Sequence, residues 1–209
     1  MKSDLHSAPH ATDSPIPIPE VVAALRATYA SGRTRPATWR IEQLRGIERL
    51  LDEREGEIAA ALAEDLGRSA VEAWLIDISN PKVEAAYARK RVRRWMRRRP
   101  QPLPLNQLPA LGWVQYEPLG VVLVIAPWNA PVVLALNPLV AALAAGNCAV
   151  VKPSELAPAT SRLLARLIPT TSTTRQSWWS KATGARRRNS SPKGSITRSS
   201  PAAPKSARR

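Results

Sequence analysis

Read from the amino terminus, apolar positions first recur at helical spacing. Val21, Val22, Leu25 and Tyr29 predict a helix from Glu20 to Tyr29, ended by Ser31-Gly32. A longer helix is predicted from about Thr38 to Leu66, with Ile41, Leu44, Ile47, Leu51, Ile58 and Leu62 as its apolar stripe. Acids and bases mix at i,i+3 and i,i+4 on its other side, and Gly67 stops it. A third helical stretch covers Glu72 to Arg99, with a kink or break placed at Asn80-Pro81. Prolines at 100, 102, 104 and 109 then read as an extended connector, and Trp113 to Tyr116 as a short strand.

Beyond Glu117 the pattern changes. Val121 to Ala126 is a continuous apolar run, β-branched at four of its six positions, which suits a strand buried on both faces of a sheet. Pro127-Trp128-Asn129 breaks the run. The apolar segment from Pro131 to Ala145 is too long for a strand and rich in Leu and Ala, so it predicts a buried helix closed by Gly146-Asn147. Ala149 to Val151 is a second short strand, and a further helix follows with Pro158 near its first turn. Strand, crossover helix, strand, helix is a parallel βαβ layout.

Ligands of such a layout lie outside the carboxyl ends of the strands. Asn129 follows the first strand there, and Lys152, Ser154 and Glu155 follow the second. Lysine and serine donate to hydroxyl or phosphate groups, and a carboxylate accepts from a ribose hydroxyl. An uncharged amide suits an oxygen that gains negative charge during reaction. Each residue alone reads more plainly as a loop polar satisfying its own turn. Their joint placement is what points to a crevice.

The stretches EPLGVVLVIAPWNAP and PLVAALAAGNCAVVKPSELAPATS resemble the aldehyde dehydrogenase superfamily, most closely its class 3 or fatty-aldehyde branch. A weaker likeness extends upstream through SGRTRPATWRIEQLRGIERLLDEREGEIAAALAEDLGR, so the resemblance covers about Glu20 to Pro169. It implies an α/β fold in which N-terminal helices precede the start of a Rossmann-like parallel βαβ sheet, here truncated. It also implies oxidation of an aldehyde to a carboxylic acid with NAD or NADP. In that chemistry a cysteine thiolate adds to the carbonyl carbon, hydride passes to nicotinamide, and a glutamate-activated water releases the acid. By this likeness Asn129 donates its amide to the oxyanion of the thiohemiacetal, and Ile125, Ala126, Pro127 and Trp128 line the nicotinamide side. Lys152 and Glu155 match positions that contact the adenine ribose, with Ser154 beside them. Ala130 departs from the family, which often has an aromatic residue there. Full-length relatives are expected to be homo-oligomers.

Composition narrows the alternatives. The sequence of 209 residues has no Phe, and no apolar run reaches ~20 residues without interruption, so no membrane span is expected. The first eighteen residues contain acids, His and Pro and no apolar core, unlike a secretory signal. Both histidines, His6 and His10, lie in that leader, which leaves the body without a Ser-His-Asp set or a zinc cluster. A single cysteine excludes an internal disulfide and agrees with a cytoplasmic location. Cys148 sits between a buried helix and a buried strand, where burial keeps a thiol inert, so it reads as filler and not as the nucleophile. In the resembling family the nucleophile comes from a later domain. The basic run Arg89 to Arg99, interrupted by Trp95, has the residues to grip phosphates and stack a base. Cations gathering at a helix C-terminus near acids of the preceding helix is the favoured reading.

Thr170 to Arg209 is chemically foreign to what precedes it. It contains ten Lys or Arg and no acid, and without it the formal net charge falls from +15 to +5. Ile196 is its only large aliphatic residue, so it reads as a disordered basic arm. Shifting the reading frame by one base changes that picture. Trp178-Trp179 must then give Val, Ser180 to Gly184 can give Glu-Gly-Asp-Gly, and Ser200 to Ala207 can give Thr-Gly-Gly-Thr-Glu-Ile-Gly. These approximate the family's next strand and its cofactor loop, so residues after about Pro169 read as out of frame, through a sequencing error or a pseudogene. The predicted organisation is a disordered leader (1–18), a helical region with its proline-rich connector (19–110), a partial NAD(P)-binding βαβ region (111–169) and the basic tail (170–209). Without the family's later catalytic domain the isolated chain is expected to be inactive. The alternative is a non-enzymatic fragment whose tail binds nucleic acid or acidic surfaces.

Overall fold

Pro17 stands in extended backbone just before the first helix, α1 (Ile18–Ala30), which begins two residues ahead of Glu20. The computed structural model describes residues 17–171, with side chains described as far as Ile168. Most of the leader predicted for 1–18 and of the basic arm with its frameshifted motifs predicted for 170–209 lies outside the described residues; at their inner ends Ile18 already belongs to α1, and Thr170 and Thr171 still belong to the last helix. Val21 and Leu25 bury one face of α1, and Ser31 closes its end on the Ala27 carbonyl.

The helix expected from Thr38 to Leu66 is two, α2 (Ala37–Glu53) and α3 (Glu55–Leu66), separated at Arg54 with φ −118° and ψ 17°. The Arg54 amide still donates to the Leu50 carbonyl, and the Ile58 amide to the Arg54 carbonyl, both at 3.0 Å. The interruption therefore bends the rod without ending it, which keeps Leu44, Ile47, Leu50 and Leu51 on the same core as Ile58 and Leu62. Gly67, at φ 67°, terminates α3 as expected.

The next stretch departs further from the prediction. Ser69 opens α4 (Ala70–Ala73) with a capping box to Glu72, a wide π-helical turn follows over Trp74–Ile78, and α5 spans Ser79–Trp95. The helical backbone is therefore irregular just before Asn80-Pro81 and is not broken there. Pro81 is the third residue of α5, where its ring crowds the carbonyl four residues back, and the wider turn takes up that mismatch. The chain also leaves the helix at Trp95, short of Arg99. Arg99 instead begins β1 (Arg99–Gln101), which pairs antiparallel with β2 (Gly112–Val114) in the register Arg99 to Val114. The proline-rich connector is thereby a hairpin arm. The Arg98 guanidinium lies 4.7 Å from the Trp113 ring centre, and that of Arg99 lies 5.0 Å from Tyr116.

The βαβ unit forms as the pattern predicts. β3 (Val121–Ile125) and β4 (Cys148–Lys152) are parallel, α6 (Val133–Ala145) crosses between them, and α7 (Pro158–Thr171) follows with Pro158 at its first position. One core joins α2, α3 and α5 to α6, α7 and the inner face of the strands at Val124, Ala126, Ala149 and Val151. On the opposite face α1 packs against Cys148 and Val150. That helix covers β4 and only the first residue of β3. Leu123 and Ile125 are 60% and 68% exposed, so β3 is not buried on both faces as predicted. Its outer face remains open because no described element lies over it.

Candidate functional site

The parallel register sets Ile125 directly opposite Lys152, and the Ala126 amide donates to the Lys152 carbonyl at 3.0 Å. The two strand tips are therefore neighbours. From the first tip the chain runs through Pro127, Trp128 and Asn129 to the head of α6. From the second it runs through Pro153, Ser154 and Glu155 to the head of α7.

At the β4 tip Lys152 Nζ lies 2.7 Å from Glu155 Oε2. Hydrogen bonding from that ammonium holds the Glu155 carboxyl below the usual carboxylate range. The pair is solvent-exposed and offers ammonium and carboxylate together at one edge. Ser154 is buried and engaged locally: its hydroxyl accepts from the Leu156 amide at 3.2 Å, and its carbonyl accepts from the Ser161 hydroxyl at 2.8 Å. At the β3 tip Ala126 is buried and faces the core, whereas Ile125, Pro127, Trp128 and Asn129 are exposed. The structure thus places Ile125, Lys152 and Glu155 side by side, with the Asn129 loop leaving the adjacent tip. Ser154 and Ala126 lie inward, supporting those groups.

Both α6 and α7 begin at this edge, and their first amides are already engaged by carboxylates from the N-terminal helices. Asp77, fully buried in the π-helical turn, accepts from the Val132 and Val133 amides at 3.0 Å each. Asp65, near the end of α3, accepts from Ala159 at 3.0 Å and Thr160 at 2.7 Å. A helix N-terminus is ordinarily a ready site for phosphate. Here protein carboxylates hold it, which leaves Lys152 and the strand-tip loops as the groups facing outward. Asp77 also pairs with Arg68, whose Nη2 donates to the Asn129 carbonyl at 2.5 Å. The sequence reading missed Arg68, Asp65 and Asp77. A signal existed for Asp77, which lies four residues after Ala73 on a face that otherwise turns inward.

The far end of α6 carries the opposite charge. Arg40, buried in α2, donates through Nη1 to the Ala144 carbonyl at 3.2 Å and through Nε to the Thr34 carbonyl at 3.3 Å. Burial pulls its guanidinium below its ordinary pKa. Acid at the head and base at the tail both match the helix dipole. Next to that tail Cys148 is buried, and desolvation pushes its thiol above the ordinary value. A thiolate is disfavoured there, which matches its reading as filler.

The basic run along α5 is tied to α2 through Arg89 and to its own helix through Arg91. Arg89 makes a two-pronged pair with Glu48 at 2.6 and 3.2 Å, and Arg91 stacks 3.9 Å from the Tyr87 ring centre. Among the described residues no group of three His, Cys, Asp or Glu could hold a metal ion. None of the described helices is long and apolar enough to cross a membrane.

Residues 5–173 match the model of the aldehyde dehydrogenase family. Over 147 residues the chain is 45% identical to aldehyde dehydrogenase family 3 member I1, chloroplastic, of Arabidopsis thaliana, covering 70% of this chain and 27% of the relative. It is 43% identical over 148 residues to family 3 member A2 of Rattus norvegicus, covering 71% and 31%. The chain thus spans about three tenths of the length of these relatives. Among solved structures, the substrate-bound state of Staphylococcus aureus AldH superposes with a TM-score of 0.74 at 34% identity, over 78% of this chain and 35% of that one. A Streptococcus pyogenes succinic semialdehyde dehydrogenase, in complex with NADP+, shares the fold with a TM-score of 0.70 at 19% identity, over 84% and 37%.

Proposed function

The chain belongs to the aldehyde dehydrogenase family, and from that premise we propose that its βαβ unit opens a Rossmann-like site for NAD or NADP serving the oxidation of an aldehyde to a carboxylic acid. The observation that carries this reading is the register of Ile125 with Lys152, which brings the Asn129 loop and the Lys152–Glu155 pair to one edge. Lys152 donates to, and Glu155 accepts from, the hydroxyls of the adenine ribose. An exposed ammonium–carboxylate pair fits a diol that needs one donor and one acceptor. Ile125, Pro127 and Trp128 present apolar surface to the nicotinamide, with Ala126 as the buried anchor beneath them. The nicotinamide group, when bound, accepts hydride from the reacting carbon.

Asn129 contributes the uncharged amide. It is exposed in the loop that leaves the β3 tip, and in this reading it donates to an oxygen that becomes an oxyanion. The nucleophilic thiolate is not supplied by these 209 residues, because their one cysteine is Cys148, buried with a raised pKa. The isolated chain therefore binds the cofactor without turnover. Its single buried thiol suits a reducing compartment such as the cytoplasm. The family match ends at residue 173, close to where the composition turns basic, which supports the frameshift reading of the tail. Resequencing the coding DNA across codons 165–175 tests that reading.

The cofactor proposal is tested by titrating the purified chain with NADH and following nicotinamide fluorescence. Lys152→Ala should weaken binding about tenfold, the size of one lost hydrogen bond to a charged group. A wild-type chain that leaves NADH fluorescence unchanged at millimolar concentration would remove the proposal.

A further inference from the structure

The loop from the β3 tip to the head of α6 is fixed at both ends. The Ala126 amide is bonded to Lys152 at one end, and the Val132 and Val133 amides are bonded to Asp77 at the other. Between these points the chain is largely exposed, and the Asn129 side chain makes no hydrogen bond among the described residues. Besides the Leu134 amide, which donates to the Ala130 carbonyl at 3.1 Å as α6 begins, one tie among the described residues reaches the middle of the loop: Arg68 Nη2 donates to the Asn129 carbonyl at 2.5 Å while Nη1 of the same guanidinium pairs with Asp77. A guanidinium presents its donors in a fixed plane, so its two arms set the spacing between the buried carboxylate and the Asn129 backbone.

Neutralising Asp77 alone would need only a cation. An ammonium at the end of a lysine would serve, since a buried carboxylate mainly requires a counter-charge and a donor. The second arm is what that role leaves unexplained. It ends on the carbonyl of the residue proposed above as the oxyanion donor. It also starts from Arg68, one residue past the Gly67 stop of α3, where the chain is anchored by the Ser69 capping box.

We propose that Arg68 is a positioning residue for Asn129, with buried Asp77 as its anchor: the guanidinium fixes the loop so that the Asn129 amide and Trp128 face the cofactor edge. This rests on the proposed function for its purpose, but the ordering of the loop is measurable without any ligand.

The test uses the full chain and Arg68→Lys, which retains a cation for Asp77 but cannot hold both partners in one plane. Backbone order parameters from nuclear magnetic resonance are read first. For Trp128, Asn129 and Ala130 they should fall from about 0.85 in the wild type to below about 0.6 in the variant. Val132 and Val133, bonded to Asp77 itself, should stay rigid, and the melting temperature should stay close to that of the wild type. NADH affinity should then fall about tenfold, as for one lost charge-assisted hydrogen bond. A loop that keeps its order in Arg68→Lys overturns the proposal, as does a loosened loop with unchanged NADH affinity. If Val132 and Val133 loosen as well and the whole fold melts early, Arg68 is merely the counter-charge of Asp77 and the proposal also fails. A wild type that binds no NADH removes the cofactor reading and this inference with it. Variants indistinguishable from a binding wild type remove this inference alone.

Discussion

Gly146 answers two demands at once. Its φ of 87° is one that side chains with a Cβ rarely adopt, and it ends α6 in the left-handed conformation. A Cβ built there would also lie 2.5 Å from the Arg40 guanidinium carbon. That guanidinium is buried and bonded to the Ala144 carbonyl, so it has little room to withdraw. Gly146→Ala should therefore lower unfolding stability by about 2 kcal/mol or more, from backbone strain and displacement of Arg40 together. Urea unfolding monitored by circular dichroism reads this directly, and a midpoint equal to the wild type's would contradict the account. The glycine was legible in the sequence as a helix stop. Its partner was not, because Arg40 lies more than a hundred residues earlier and reads locally as one more solvent-facing cation.

At the scale of elements, α6 and α7 are held by the helices that precede them. Asp65 on α3 engages the first amides of α7, the role usually filled by a capping residue next in sequence. Asp65→Ala should destabilise the protein by about 1–2 kcal/mol, while Asp65→Asn, which keeps an acceptor, should cost less. Equal losses for the two variants, compared by urea midpoint, would mean that the negative charge at the helix head, not an acceptor of the right shape, is what stabilises α7. Periodicity made the helices and the βαβ order legible, since stripes such as Leu44, Ile47 and Leu51 follow from one face meeting one core. It could not show the bend at Arg54, where hydrogen bonding continues through the irregular residue, nor the π-helical turn before Pro81. Both depend on what the helices pack against. The site was half legible for the same reason: Lys152, Glu155 and Asn129 announce themselves at strand tips, whereas Asp77 and Arg68 act across long sequence separations.

For the molecule as a whole, the uneven cover of the small sheet has a measurable effect. α1 shields β4, but Leu123 and Ile125 on β3 face outward with no described element above them. The hairpin arm adds Leu105 and Leu111, both strongly exposed, and Leu119 lies between arm and strand. Apolar surface beside a strand edge that has no partner among the described residues favours association with other chains. Leu123→Lys should reduce concentration-dependent self-association in light scattering without shifting the thermal midpoint by more than a few degrees. Unchanged scattering would place the sticky surface elsewhere, with the hairpin arm next in line.

The electrical matching of α6, acid at its head and base at its tail, also bears on synthesis. Asp77 and Arg40 leave the ribosome well before the helix whose ends they hold. Until α6 emerges, Asp77 has only Arg68 and Arg40 only the Thr34 carbonyl among the partners described, and the helix ends that complete their bonding are not yet made. The final packing of the N-terminal helices must therefore wait for the crossover, and the early part of the chain is obliged to stay loosely assembled while translation proceeds.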